Sequence, residues 1–307
     1  MIVRPLLATA ALAACSSSKT SPDAATLRPG VEDSSQTYKG TPDPHESAFW
    51  TAVRSADDSG RATAVTDMTA DVTADPTNGY SDFLIGASYF MPPNSVLAAL
   101  ANGTQPPQFQ PSPDAVPHLQ AGLSHLTDPF YLGFDGGLLA AMQLAGGDTT
   151  DGQATFATAA MNNRAATGFI KVLLDLQQQN PAQALADMYG LLDYCNGGAL
   201  DRSGADAAAY VQKQNSGALV HRECYSGFFA PHGSSGELLV LADLQAVNGN
   251  AQAASAYFTA LQGTSDYATW PLKPYVERRI AGQQPADPRV VAGIASTCGT
   301  CHTDTLP

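Results

Sequence analysis

The sequence predicts an all-α fold built from antiparallel helix pairs. Apolar residues recur at spacings of three and four, as in Leu97 and Leu100 and again in Val291, Ile294 and Ala295, a period that lines one face of a helix. The segments patterned in this way are divided by turn-forming runs such as Gly146-Gly147-Asp148, Asn180-Pro181 and Asn248-Gly249-Asn250. Alternation of period two, the mark of a half-buried strand, is weak throughout. A chain of 307 residues can bury one large core or two small ones without needing disulfides or metals to hold it.

The N-terminus reads as a targeting signal. Met1 to Arg4 give a short basic start, Pro5 to Ala14 an apolar run, and Leu12-Ala13-Ala14-Cys15 a small-residue cleavage site. The run is too short for a spanning helix, which needs about 20 apolar residues. The tetrad ending at Cys15 resembles the lipobox of bacterial lipoproteins. That resemblance implies removal of residues 1–14 and a lipid on the Cys15 thiol, which would tie the chain to a membrane. Ser16 resembles the outer-membrane sorting pattern of those proteins, which implies a place in the cell envelope, on the outer membrane facing the periplasm. An ordinary secretory signal with an unmodified Cys15 is the other reading. Residues 15–45 are Ser, Thr, Pro, Asp and Gly with few large apolar side chains, too little apolar area to offset ordering entropy, and read as a flexible, disordered tether.

Helical patterning starts near Ala48-Phe49-Trp50, and residues 46–284 are expected to form the helical body. Its longest interruption runs from Asn102 to Pro117, where five prolines predict a loop. Two later stretches share a layout. Leu138 to Met142 leads through Gly146-Gly147-Asp148 to Ala154, Phe156, Ala157 and Ala160, and Leu241 to Leu244 leads through Asn248-Gly249-Asn250 to Ala253, Ala254, Tyr257, Phe258 and Leu261. These segments resemble tetratricopeptide helix pairs, with small Ala residues allowing close approach and an aromatic filling the gap. The pattern departs at Gly152, where a packed Ala is expected, and no 34-residue period links the copies. A generic antiparallel bundle is the alternative. A further helix from Thr167 through Leu176 breaks at Asn180-Pro181 and restarts at Ala182 to Cys195, with Pro181 suited to a first helical turn.

The last segment, 285–307, carries the chemistry. Asp287 can cap a helix that Pro288 opens, with Val291, Ile294 and Ala295 on one face. It leads to Cys298-Gly299-Thr300-Cys301-His302, a C-x-x-C-H string. Two thiols at this spacing can add to the two vinyl groups of one porphyrin while the adjacent imidazole reaches the iron. The segment resembles the attachment site of c-type cytochromes, with the position near the C-terminus similar to that in the c-prime type. The resemblance implies one covalent haem c on Cys298 and Cys301, with His302 as iron ligand. Only five residues follow His302, so the rest of the haem wall is expected from upstream helices or a partner. Zinc binding and thiol redox chemistry remain alternatives for the same CxxC. For a sixth iron ligand the candidates are His118, His125, His221, His232, Met91, Met142, Met161 and Met188, none with decisive spacing. His232 lies in a turn-rich run that precedes a helix expected to begin at Glu237.

Of five cysteines, Cys195 and Cys224 remain once lipid and haem are assigned. An even remainder in an oxidising compartment reads as a disulfide, with two free buried thiols as the alternative. Trp270, Tyr267 and Tyr275 beside Glu277-Arg278-Arg279 read as core packing next to surface charge. A net charge of −13 with 15 Lys and Arg excludes a nucleic-acid partner and suits a basic redox partner protein. No arrangement of carboxylates or of Ser, His and Asp has catalytic spacing, so an electron carrier is expected rather than an enzyme. The competing expectations are a helical-repeat binding module with the haem as sensor, or with the CxxCH as a zinc or thiol site, and a haem enzyme such as a peroxidase, which needs an open iron site.

Overall fold

The computed structural model describes residues 44–54, 57–91, 93–104, 111–221, 224, 233–264, 267–270, 272–283, 286–288 and 290–291. These residues form thirteen α-helices and no strand. The first five are α1 (Pro44–Arg54), α2 (Asp58–Ala74), α3 (Gly79–Ser88), α4 (Asn94–Ala101) and α5 (Ala115–His125). There follow α6 (Pro129–Ala145), α7 (Thr149–Asn162), α8 (Arg164–Gln177), α9 (Pro181–Asn196) and α10 (Ala207–Asn215). The series closes with α11 (Gly233–Val247), α12 (Ala251–Leu261) and α13 (Lys273–Ile280).

Five of these helices are started by a side-chain cap. Asp57, Asn78, Asp148, Asn163 and Asn180 each accept, through the side chain, an otherwise orphaned N–H in the first turn of the helix that follows. Each such cap is worth about 1 kcal/mol. Pro181 occupies the first turn of α9, where its missing donor costs nothing. The tight turns α6–α7 and α11–α12 pass through Gly147 at φ 88° and Gly249 at φ 83°, a region that side chains with a Cβ resist.

The pairs α6–α7, α8–α9 and α11–α12 pack as helix hairpins, and α3–α5 and α1–α2 join them. Each hairpin leaves an apolar stripe that only the next pair covers, so α6 packs on α8 and α9 on α11. The result is one continuous core that runs from Phe49 and Met68 through Tyr131, Leu138, Ile170 and Met188 to Leu241, Tyr257 and Val276. Glycines set the closest approaches. A Cβ on Gly133 would lie 2.7 Å from the Asn163 Cα, so the N-terminal part of α6 accepts the α7–α8 junction only because Gly133 has no side chain. The departure at Gly152 has the same cause, since a Cβ there would meet the Leu144 backbone nitrogen at 3.1 Å and its Cγ at 2.7 Å.

Several boundaries differ from the sequence expectation. The body begins at Pro44, two residues before the expected 46. The long loop gives way to α5 at Ala115, which places Pro117 in the first helical turn, where a proline costs no hydrogen bond. The helix expected from Glu237 begins at Gly233. Of the expected tether 15–45, Pro44 and His45 belong to α1, while residues 15–43, with the lipidation residue Cys15, and the string Cys298 to His302 lie outside the described residues.

Candidate functional site

The final described stretch is held to the body by α13. Arg279 on α13 donates from Nε to Asp243 Oδ1 at 2.7 Å, and Tyr275 donates its hydroxyl to Asp243 Oδ2 at 2.8 Å. Asp243 has no exposure and the Arg279 side chain only 7%, so this is a buried ion pair inside the α11–α13 contact. Burial pushes the Asp243 carboxyl up, while the Arg279 charge and the two donors pull it back. The Arg279 guanidinium also lies 5.3 Å from the centre of the Phe258 ring on α12. The reading of Arg279 as surface charge is therefore corrected. Trp270, Tyr267 and Tyr275 are core residues, as expected. On the other side of α13, Arg278 Nη2 donates to the Ala101 carbonyl at 2.9 Å and so ties the end of α4 to the last helix. Beyond it, the Val291 N–H bonds the Asp287 carbonyl at 3.0 Å, which opens a helical turn at Pro288 and buries Val291 in the core.

Cys195, at the end of α9, and Cys224 are joined by a disulfide with Cα atoms 5.5 Å apart. Both are 2% exposed. Beside them His221 stacks on Tyr194 with ring centres 3.8 Å apart and planes 5° apart, and the Arg164 guanidinium sits 4.5 Å from the centre of the same tyrosine ring.

The residues considered as a sixth iron ligand are scattered rather than gathered. Met91 and Met188 are core residues at 2% and 0% exposure, whereas Met161 is 81% exposed. Met142 is partly buried against the core and His125 is exposed at the end of α5. His232 lies outside the described residues. His118 has the most defined setting. Its Nδ1 is 2.8 Å from Oδ1 of the buried Asp82, and its ring stacks on Tyr89. A carboxylate on Nδ1 fixes ring orientation and tautomer and leaves Nε2 as the coordinating nitrogen.

Next to this pair sits a group that pattern reading missed. Asp135 on α6 is fully buried, and neither carboxylate oxygen has a hydrogen-bond partner among the described residues. Burial, with the Asp82 charge second, holds its carboxyl well above the usual range. It presses against Gly122 on α5, where a side chain would collide with it. No group of three or more His, Cys, Asp and Glu among the described residues is arranged to hold a metal ion. No described helix is long and apolar enough to cross a membrane.

Comparison with known proteins finds no matching family model, no curated protein and no solved structure.

Proposed function

We propose that the chain is a membrane-tethered c-type haem protein that transfers electrons through a single haem. The observation that carries the reading is the string Cys298-Gly299-Thr300-Cys301-His302 in a chain whose first residues read as an export signal, because haem is attached to such strings outside the cytoplasm. In this reading Cys298 and Cys301 hold the porphyrin, His302 binds the iron, and Cys15 carries the lipid. Bound there, the haem supplies a one-electron couple whose potential depends on axial ligation, hydrogen bonding and burial. The body's own part is to fix the stretch that leads to the string. α13 is locked by the buried Asp243–Arg279 pair and by the Arg278 bond to Ala101. Cys298 stands seven positions after the buried Val291, so chain geometry limits its reach to roughly 25 Å from that anchor. The acidic surface favours a basic redox partner.

The helix hairpins favour a second reading, a binding module of tetratricopeptide-like pairs with the haem as sensor or the CxxCH as a zinc or thiol site. A pyridine haemochrome spectrum of protein matured with the haem-attachment machinery separates the two. The haem reading predicts a c-type spectrum and a haem-stained band on a denaturing gel, both lost in Cys298→Ala/Cys301→Ala. An unstained band from the wild-type chain overturns it and favours the second reading.

A further inference from the structure

An open cleft of about 780 Å³ lies between α9 and the start of α12, within the range of small-ligand sites. One wall is aliphatic, formed by Ala182, Leu185 and Ala186 of α9, and Tyr189 forms the floor. Arg202, between α9 and α10, stands at the mouth with half of its side chain exposed. It does not wave in solvent as an exposed arginine ordinarily does. Its Nη1 donates to Asp193 Oδ1 at 2.8 Å and to the Leu200 carbonyl at 2.9 Å, and its Nη2 donates to Asp193 Oδ2 at 2.6 Å. Its guanidinium carbon lies 3.9 Å from the centre of the Tyr189 ring.

That ring is fixed in turn. Gln245, 1% exposed, donates to the Tyr189 hydroxyl, and its Oε1 accepts from Asn250 Nδ2 at 2.7 Å. The buried amide is thus engaged in positioning the floor, its nitrogen also facing the Arg202 carbonyl at 3.4 Å. A guanidinium carries five N–H donors on adjacent edges. Three are used on Asp193 and Leu200, which leaves Nε–H and the second Nη2–H without a partner among the described residues. These two form a side-on fork of the spacing that matches a carboxylate. The side-chain freedom that a flexible arginine would lose on binding is already given up in the Arg202 bonds to Asp193 and Leu200.

We propose that this cleft binds an aliphatic carboxylate, either a free acid or the C-terminus of a peptide. Its carboxylate sits on the Nε–Nη2 edge of Arg202, and its hydrocarbon body lies against Ala182, Leu185 and Ala186. Asp193 keeps the end-on edge, so the guanidinium bridges the two carboxylates. Nothing in this site depends on haem attachment.

The test uses the full chain and fluorescein-labelled Gly-Ala-Ala-Leu, read by anisotropy, with the C-terminal amide of the same peptide as control and hexanoate as competitor. Saturable binding of the free acid, weakened at least about tenfold by amidation and by Arg202→Gln, is expected from loss of a charge-assisted bidentate contact. Ala186→Trp, on an exposed position of the cleft wall that touches none of the Arg202 bonds, should also abolish binding while circular dichroism keeps its helical form. Displacement by hexanoate assigns free acids as ligands, and binding of the peptide without such displacement assigns peptide termini. Equal binding of acid and amide, unchanged affinity in Arg202→Gln, or no saturation by either probe up to about 10 mM overturns the proposal.

Discussion

Asp135 shows how a single residue can set the pH response of the molecule. An unfolded aspartate releases its proton near pH 3.9, whereas burial keeps the folded Asp135 protonated to much higher pH. The unfolded state therefore binds fewer protons than the folded state once pH exceeds the unfolded value, and folding stability falls as pH rises through that window up to the folded value. Asp135→Asn removes the titration while nearly preserving shape. It should melt close to wild type near pH 4 and clearly above wild type at pH 8, as thermal scans across that range would show; parallel melting curves at both pH values would contradict the assignment. The residue escaped sequence reading for a physical reason. Within Phe134-Asp135-Gly136-Gly137-Leu138 a lone acid looks like a solvated position, and only the packing of α6 against Gly122 of α5 turns it inward. Arg202, Tyr189 and Gln245 were hidden in the same way, because they come from separate segments and meet only after α9 and α11 pack.

At the scale of the element, what was legible is what local chemistry decides. Asn180-Pro181 and Asn248-Gly249-Asn250 predicted turns between helices, and α9 and α12 begin at Pro181 and Ala251. Gly152 looked like a departure from a repeat pattern, and it is a point of contact with the Leu144 backbone. The start of α5 was missed because prolines count as breakers in a sequence, although in a first turn they are tolerated. The role of α13 was also missed, since a Glu-Arg-Arg run reads as a wet face while Arg279 is buried on Asp243. Arg279→Met leaves that carboxylate buried without its counter-charge. This should cost about 3–5 kcal/mol in urea unfolding, with Asp243→Asn in the same background recovering part of the loss. A loss below about 1 kcal/mol would show that the pair is not an anchor of α13.

For the whole molecule, stability rests on hairpins covering each other's apolar stripes and on long-range ties. Among these are the Arg278 bond to Ala101, the buried Asp243–Arg279 pair and the Cys195–Cys224 disulfide, which spans 29 positions. Closing a loop of this length restrains the unfolded chain by about 3 kcal/mol. The Cys195→Ala/Cys224→Ala variant should lose about that much in denaturant unfolding while keeping its helical dichroism; an unchanged midpoint would show that the bridge restrains little. Cysteine arithmetic made this pair legible, because the remaining three cysteines fell to the lipobox and the C-x-x-C-H. The proposed haem site is legible only as a string of residues; among the described residues, α13 and Val291 hold part of the stretch that precedes it to the core.

The most direct test of the central claim is the mass of the peptide containing Cys298 to His302, released by proteolysis from chain purified out of the envelope of a cell with intact haem-attachment machinery. The account predicts a peptide heavier by one haem, bonded through Cys298 and Cys301. Recovery of that peptide at its unmodified mass, with both thiols free to alkylate or joined to each other, would contradict it.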